Sequence, residues 1–233
     1  MSTETSELER QRAADLLGAQ EKAISLFNEI ERTLIRPGIR EKDLSTEIHQ
    51  LAAERFGVKS HWHKRVIRSG PNTLLPYAEN PPDRVLRDDD ILFVDLGPVF
   101  EECEADFGRT FVLGDDPAKI RLRDLLEPTW LAVKEKFLAD PDMTGERLYE
   151  IACEAAKEGG WEYGGPIAGH LVGSFPHERI PRDKISLYIT PGSNSPMNTL
   201  NAKGEKRHWI LEIHHVDKER QIGGFFEQLL TIG

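Results

Sequence analysis

The sequence predicts a mixed α+β fold, because helical segments come first in each part of the chain and strand-like segments follow them. Helices are predicted over residues 7–35, 41–56, 117–139 and 144–158, where apolar side chains recur on one face or end signals frame the segment. Short apolar runs typical of strands begin at Ile91, precede Thr110, and occupy Trp209–Val216 and Phe225–Ile232.

Glycine, proline and capping residues define where these elements end. Pro37 ends the first predicted helix and Gly57 ends the second, while Thr144 is a typical N-cap for the fourth. The pair Gly223-Gly224 is read as part of the turn between the last two strands. Residues 181–207 are rich in Pro, Gly, Ser and Asn, so we expect a long loop with one strand inside it.

The stretch from Ile91 to Thr110 is the centre of the predicted structure. Four apolar residues typical of a buried strand lead directly into Asp95, and Asp106 follows eleven residues later in a second short strand. Burying a bare carboxylate is costly, so acids in such positions are usually paired, hydrogen-bonded or bound to a metal. Asp95 and Asp106 are therefore candidate functional residues.

Composition restricts the classes of partner. The net charge of −10 argues against an electrostatic grip on nucleic acid or on an anionic membrane. No apolar run approaches the roughly 20 residues of a membrane span, and the polar, acidic N-terminus does not resemble a signal peptide. Two cysteines do not make a disulfide framework, which favours a reducing cytoplasm.

Five residues form a potential set of metal ligands. The set consists of Asp95, Asp106, His170, Glu212 and Glu227. His170 follows a glycine-rich segment, and the two glutamates lie in the last two predicted strands. Oxygen-rich sets with one nitrogen suit divalent ions such as Mn, the first choice here, or Co, Fe and Zn. Four carboxylates balance the charge of two such ions, and a hydroxide held between two ions is a nucleophile at neutral pH.

The order and context of these residues resemble the pita-bread metallopeptidase family, which includes methionine aminopeptidase, aminopeptidase P, prolidase and the non-peptidase creatinase. The motifs that carry the resemblance are Asp95-Leu-Gly, then Asp106 with Arg109-Thr110, then Gly169-His-Leu-Val-Gly173 followed by His177-Glu178, and finally Glu212 and Glu227. The resemblance implies two pseudo-equivalent α/β halves around a curved antiparallel sheet. It also implies one catalytic domain over residues 1–233, without the additional N-terminal domain of creatinase-type relatives.

The same resemblance implies a role for each ligand. Asp95 would bind one ion, Asp106 and Glu227 would bridge both, and His170 and Glu212 would hold the other. Glu212 is also expected to accept a proton from the attacking water, as a general base within hydrogen-bond reach.

Other histidines are expected around this site. By the same resemblance, His177 would contact the substrate carbonyl or the developing oxyanion. The family has Leu-His-Tyr-Thr-Glu-Asn where this chain has Leu-Pro-Tyr-Ala-Glu-Asn, so Pro76 stands in place of a substrate-contacting histidine. His214, or His61 or His63 from the upstream segment, is the hypothetical replacement; a structural role for each is the alternative.

Residues two apart in a strand share a face, so His208 and His214 are expected to lie on the same side as Glu212.

The implied function is that of a dinuclear metal-dependent hydrolase that cleaves a C–N bond, with Xaa-Pro aminopeptidase or dipeptidase activity as the first expectation. A non-peptidase enzyme on the same fold is the alternative, either a creatinase-like hydrolase of a small amidine or amide or an iron-dependent oxidative enzyme. A peptide-binding module is the second alternative. The expected partner is a short peptide or small molecule, with no nucleic acid and no membrane, and the resemblance allows a homodimer.

Overall fold

The computed structural model describes residues 3–175 and 185–232. Within them, four α-helices match the predicted segments to within a few residues: α1 (Thr3–Thr33), α2 (Glu41–Phe56), α3 (Pro117–Ala139) and α4 (Gly145–Glu158). The predicted cap of α4 is confirmed, because the Thr144 side chain accepts a hydrogen bond from the Arg147 backbone N–H. In these described ranges, no helix combines the length and apolar character that crossing a bilayer requires.

The strands form one large antiparallel sheet and a separate small hairpin. The strands of the sheet are β1 (Val66–Ser69), β2 (Ile91–Leu96), β5 (Phe107–Val112), β6 (Glu162–Tyr163), β7 (Leu171–Val172), β8 (His208–Asp217) and β9 (Ile222–Leu229); the hairpin is β3 (Val99–Phe100) with β4 (Cys103–Glu104). The sheet is ordered β1-β2-β5-β9-β8-β6, and β7 also pairs with β8. Strands far apart in the sequence are thereby neighbours.

Two details of the sequence prediction are wrong. Gly223 and Gly224 lie inside β9 rather than in a turn, and β9 begins and ends before the predicted Phe225–Ile232. A Cβ at Gly223 would collide with the Thr73 carbonyl, so this glycine serves close packing and not a reversal of the chain. The described part of the predicted loop, 185–207, contains a short 3₁₀ turn and no strand.

Two apolar cores lie side by side on one face of the sheet, each under one pair of helices. Helices α1 and α2 pack on Leu92, Val94 and Leu96 of β2, whereas α3 and α4 pack on Leu211 and Ile213 of β8. Side chains alternate along a strand, so the intervening residues of β2 and β8 point away from these contacts. Those intervening positions carry the candidate functional residues.

Glu41, the first residue of α2, connects this helix to the segment that follows β1. Its carboxylate accepts hydrogen bonds from the Ser69 backbone N–H at 2.6 Å, the Ser69 hydroxyl at 2.8 Å, the Asn72 amide at 3.0 Å and the Arg84 backbone N–H at 3.3 Å. Ser69 and Asn72 are themselves buried, so these donors have little access to water. One buried carboxylate therefore holds two parts of the chain against the start of a helix.

Replacing Glu41 by alanine is expected to lower the free energy of unfolding by about 2–4 kcal/mol, because several buried donors lose their acceptor together. Urea denaturation followed by circular dichroism measures this loss. Glu54→Ala is the matched control, since Glu54 is an exposed residue of the same helix. Equal effects of the two substitutions would show that the Glu41 hydrogen bonds are not needed for stability.

Candidate metal centre

Three acidic side chains lie in one row across four neighbouring strands. Asp95 of β2 is paired with Gly108 of β5, Gly108 with Glu227 of β9, and Glu227 with Glu212 of β8. Asp106 lies two residues before Gly108, immediately before β5 begins. The register of the sheet thus collects four carboxylates that are up to 132 positions apart in the sequence (227 − 95).

His170 reaches this row from the neighbouring β7 segment. Its Nε2 lies 3.1 Å from Oδ2 of Asp106 and 4.0 Å from Oε1 of Glu212. Its Nδ1 donates a hydrogen bond to the Leu171 carbonyl at 2.8 Å, which orients the ring. The preceding Gly169 has a φ of 136° and passes so close to the Ile210 carbonyl that any Cβ would collide with it. A glycine at position 169 is therefore needed for this segment to pass β8 closely enough to place the His170 imidazole beside the acids.

A second imidazole, His63, lies on the opposite side of Asp106. Its Nε2 is 3.1 Å from Oδ1 of Asp106 and 3.6 Å from Oδ1 of Asp95. Its Nδ1 is 2.7 Å from the Lys64 carbonyl. His63 is thus the member of the three hypothetical replacement histidines that the structure places against the acids.

The backbone that follows Asp95 holds the His63 segment in position. The Trp62 N–H donates to the Gly97 carbonyl at 2.9 Å, and His61 pairs with Pro98 in an isolated β-bridge. A Cβ at Gly97 would overlap the His63 ring and the Trp62 indole, so the absence of a side chain there makes room for both. The Asp-Leu-Gly motif therefore contributes an acid and also the space for an imidazole.

These groups line one cavity of about 540 Å³. Its walls are largely apolar or aromatic and are contributed by Trp62, Phe93, Pro76, Tyr77, Ile167, Leu171, Tyr188 and Phe225. Arg68 also lines it, but its guanidinium donates to the carbonyls of Leu75, Pro76, Tyr77 and Glu79 and so holds the loop that forms one wall. The polar cluster therefore shares one cavity with mainly apolar walls.

Burial dominates the protonation of the carboxyl groups. It raises the pKa of Asp95 to about 7 and the pKa of Glu212 to about 8. It also raises the pKa of Glu227 well above its usual range, with repulsion from neighbouring carboxylates as a further cause. Burial alone would raise the pKa of Asp106 as well, but the two flanking imidazoles outweigh it and lower that pKa. The positive charge of two imidazoles therefore does not balance the negative charge that four buried carboxylates would carry.

The acids raise the pKa of both imidazoles. Burial alone would lower the pKa of His63, but the charges of Asp106 and Asp95 raise it to about 9. Burial opposes protonation of His170 too, but the hydrogen bond and charge of Asp106 raise its pKa to about 9. Ligation by either Nε2 requires loss of its proton, as metal binding generally does.

The residues present fit divalent metal ions. Two groups have ligand atoms within 4.8 Å of one another: His63 with Asp95 and Asp106, and Asp106 with His170 and Glu227. Among the described residues, Oδ1 of Asp95 and Oε2 of Glu227 are buried without a hydrogen-bond partner. Buried, unpartnered carboxylate oxygens next to imidazole nitrogens are the donors that such ions take.

All five predicted ligands line the cavity, which agrees with the arrangement that the sequence implied: Asp95, Asp106, His170, Glu212 and Glu227. Their role as ligands stays a prediction. His177 falls outside the described residues.

The other histidines differ in position. His214 also lines the cavity, but its Nε2 lies 2.8 Å from the Thr73 carbonyl, and burial lowers its pKa to about 4. His208 lies instead against α1, where its Nε2 contacts Oε1 of Glu9 at 2.9 Å. His208 therefore does not line the cavity, although it belongs to the same strand as Glu212 at an even spacing.

The contributions of Arg68 and Gly97 were not predicted. Glycine two residues after Asp95 is a local signal for close approach of another segment. Which segment approaches it is not readable from the sequence.

Comparison with known proteins gives a consistent set of relatives. Residues 15–201 match the model of metallopeptidase family M24. The chain is 31% identical over 174 residues to a Xaa-Pro dipeptidase of Pyrococcus furiosus, which covers 70% of this chain and 49% of that protein. It is 29% identical to a Xaa-Pro dipeptidase of Pyrococcus horikoshii, covering 70% and 48%. The chain thus spans about half the length of the curated relatives it matches.

Solved structures show the same fold. A recombinant prolidase from Thermococcus sibiricus superposes with a TM-score of 0.75 at 19% identity, covering 98% of this chain and 59% of that one. An X-Pro aminopeptidase from Thermotoga maritima gives a TM-score of 0.71 at 21% identity, covering 98% and 65%. These likenesses confirm the predicted pita-bread fold.

Gly97→Ala is expected to lower the free energy of unfolding of the metal-free protein by about 1–3 kcal/mol, because the new methyl group overlaps the His63 and Trp62 rings. Urea denaturation measures the change. Gly18→Ala is the control: a Cβ at Gly18 of α1 meets nothing within 4 Å, and alanine favours a helix, so stability should stay equal or rise. A Gly97→Ala protein as stable as the wild type would contradict the packing described.

Proposed function

The chain belongs to metallopeptidase family M24, and on that premise we propose that it is a metal-dependent hydrolase that cleaves Xaa-Pro peptide bonds. The observation that carries the proposal is the meeting of four acids and an imidazole, brought from distant parts of the chain, around one cavity. The Xaa-Pro preference is taken from the relatives named Xaa-Pro dipeptidase. Because the chain spans about half of their length, the activity of the whole protein is part of the proposal.

In this proposal, two divalent ions are held by Asp95, Asp106, His170, Glu212 and Glu227. Bound there, such ions would polarise a substrate carbonyl and make water a nucleophile at neutral pH. Asp106 is well suited to share its two oxygens between two ions, because each oxygen faces a different imidazole. Manganese as the preferred ion is proposed from the oxygen-rich donor set.

The remaining groups would position the substrate and move protons. The Glu212 carboxylate lines the cavity at the end of the acidic row and would accept a proton there as a general base. Phe93, Phe225 and Tyr77 form largely apolar walls that suit a proline ring. His177 is proposed to contact the carbonyl oxygen.

A role for His214 in catalysis stays a prediction. Its Nε2 is engaged with the Thr73 carbonyl, and a neutral ring in that position can line the cavity without exchanging protons.

One observation favours a second candidate function. Pro76 lines the cavity in the segment where the family's peptidases are expected to carry a substrate-contacting histidine. A proline side chain neither donates nor accepts a hydrogen bond. A creatinase-like hydrolysis of a small amidine or amide would tolerate that change, and it is the alternative to Xaa-Pro cleavage. A homodimer and a cytoplasmic location are proposed on the sequence alone.

A panel of Xaa-Pro dipeptides and longer Xaa-Pro peptides tests the proposal. We expect release of proline, or of the first residue, by protein loaded with Mn²⁺ or Co²⁺, loss of turnover on chelation, and recovery on adding the ion back. Mass spectrometry of the products distinguishes dipeptidase from aminopeptidase cleavage. Turnover of none of these peptides by metal-loaded protein would contradict the proposal, and turnover of small amidines or amides instead would support the alternative.

Asp106→Asn is expected to remove metal-dependent stabilisation, because a neutral amide cannot balance the charge of two ions. For the wild type, an ion at one hundred times its Kd should stabilise the fold by about 2.7 kcal/mol. Thermal denaturation with and without the ion measures the difference. Asp88→Asn, at an exposed acid, should respond to the ion as the wild type does. An undiminished response of Asp106→Asn would contradict the assignment of Asp106 as a ligand.

A further inference from the structure

We propose that His63 is a sixth ligand of the metal centre, on the side formed by Asp95 and Asp106. This proposal rests on the proposed metal centre and does not depend on which bond the protein cleaves. It changes the expected donor set from one nitrogen to two, so that each ion would have an imidazole of its own.

The strongest support is the equivalence of His63 and His170 around Asp106. The Nε2 atom of His63 lies 3.1 Å from Oδ1 of Asp106, and the Nε2 atom of His170 lies 3.1 Å from Oδ2. Each ring is held by the same second contact, from Nδ1 to the carbonyl of the next residue, Lys64 at 2.7 Å and Leu171 at 2.8 Å. Ligating histidines usually have their other ring nitrogen bonded in this way, which fixes the ring orientation.

The position of Nε2 relative to Asp95 also favours ligation. Nε2 of His63 is 3.6 Å from Oδ1 of Asp95, and that oxygen accepts no hydrogen bond from the residues that the structure describes. The ring therefore faces two of the proposed ligands of one ion, Asp95 as well as Asp106. Atoms of His63, Asp95 and Asp106 lie within 4.8 Å of one another, which is the spacing of ligands around a single ion.

The fold gives His63 little freedom to lie elsewhere. The Trp62 backbone is bonded to the Gly97 carbonyl, and the Trp62 indole donates to the Ala105 carbonyl at 3.1 Å. The His63 side chain is 7% exposed and passes through space that only a glycine at position 97 leaves open. The ring is thus preorganised by the backbone that directly follows β2, the strand that carries Asp95.

A second nitrogen ligand has a consequence for metal choice. Imidazole favours Zn, Co and Fe over Mn, whereas carboxylates suit Mn. Loss of His63 should therefore weaken Co²⁺ binding by more than it weakens Mn²⁺ binding. Removing an outer partner of a ligand already costs about 10–100-fold in affinity, so loss of a ligand should lower Co²⁺ affinity by at least about tenfold.

Proton NMR of Co²⁺-loaded protein in H₂O tests the proposal without any activity measurement. Each ligating ring that keeps its Nδ1 proton gives one exchangeable resonance shifted far from the usual range. We expect two such resonances in the wild type, one in His63→Gln, one in His170→Gln and two in His61→Gln. His61 is the matched control, because it belongs to the same segment but does not line the cavity.

The outcomes are distinguishable. One shifted resonance in the wild type, unchanged in His63→Gln, would overturn the role of His63 while leaving the metal centre intact. A wild type that binds no Co²⁺ would overturn both proposals. The number of shifted resonances in the wild type tests the role of His63 even if a variant fails to fold. Equilibrium dialysis with Co²⁺ and Mn²⁺ provides the second measurement, and equal losses for both ions in His63→Gln would also contradict the proposal.

Discussion

The burial of acidic side chains in one row of an antiparallel sheet is the constraint on which the rest of the site depends. Asp95, Glu227 and Glu212 are neighbours only because β2, β5, β9 and β8 pair in a particular register. A slip of one residue in any strand would turn its acid to the opposite, apolar face. Buried carboxylates repel one another and lose hydration, which raises the pKa of Asp95, Glu212 and Glu227, and the flanking imidazoles supply only part of the opposing positive charge.

The glycines near the site contribute by the space they leave open. Gly97 allows the His63 segment to cross the end of β2, Gly169 allows the His170 segment to approach β8, and Gly108 occupies the middle of the acidic row without adding a side chain. Each lies within two residues of an acidic or imidazole group of the site. Each of these glycines thus lies close in the sequence to a candidate ligand and leaves room for another segment. Two separate segments can therefore place His63 and His170 against different oxygens of Asp106.

The cavity walls depend on contacts outside the acidic cluster. Arg68 binds the carbonyls of the loop that carries Pro76 and Tyr77, and Glu41 holds the turn after β1 against α2. Among the described residues, no carboxylate lies at hydrogen-bond distance from the buried Arg68 guanidinium. Its N–H groups donate to backbone carbonyls instead. The shape of the substrate region therefore follows from polar side chains that need not touch a substrate.

The sequence by itself determined the helices, because their apolar faces and end signals are local, and it identified the five candidate ligands, because their order and context resemble those of a known family. It misread Gly223-Gly224 as a turn, and it named His214 first as the replacement histidine, with His61 and His63 as the alternatives. Only the tertiary structure shows how their positions differ: His63 lies against Asp95 and Asp106, whereas Nε2 of His214 lies beside the Thr73 carbonyl. The physical reason is that strand register and the fit of a glycine against a distant ring depend on pairing between remote segments, which local sequence does not specify.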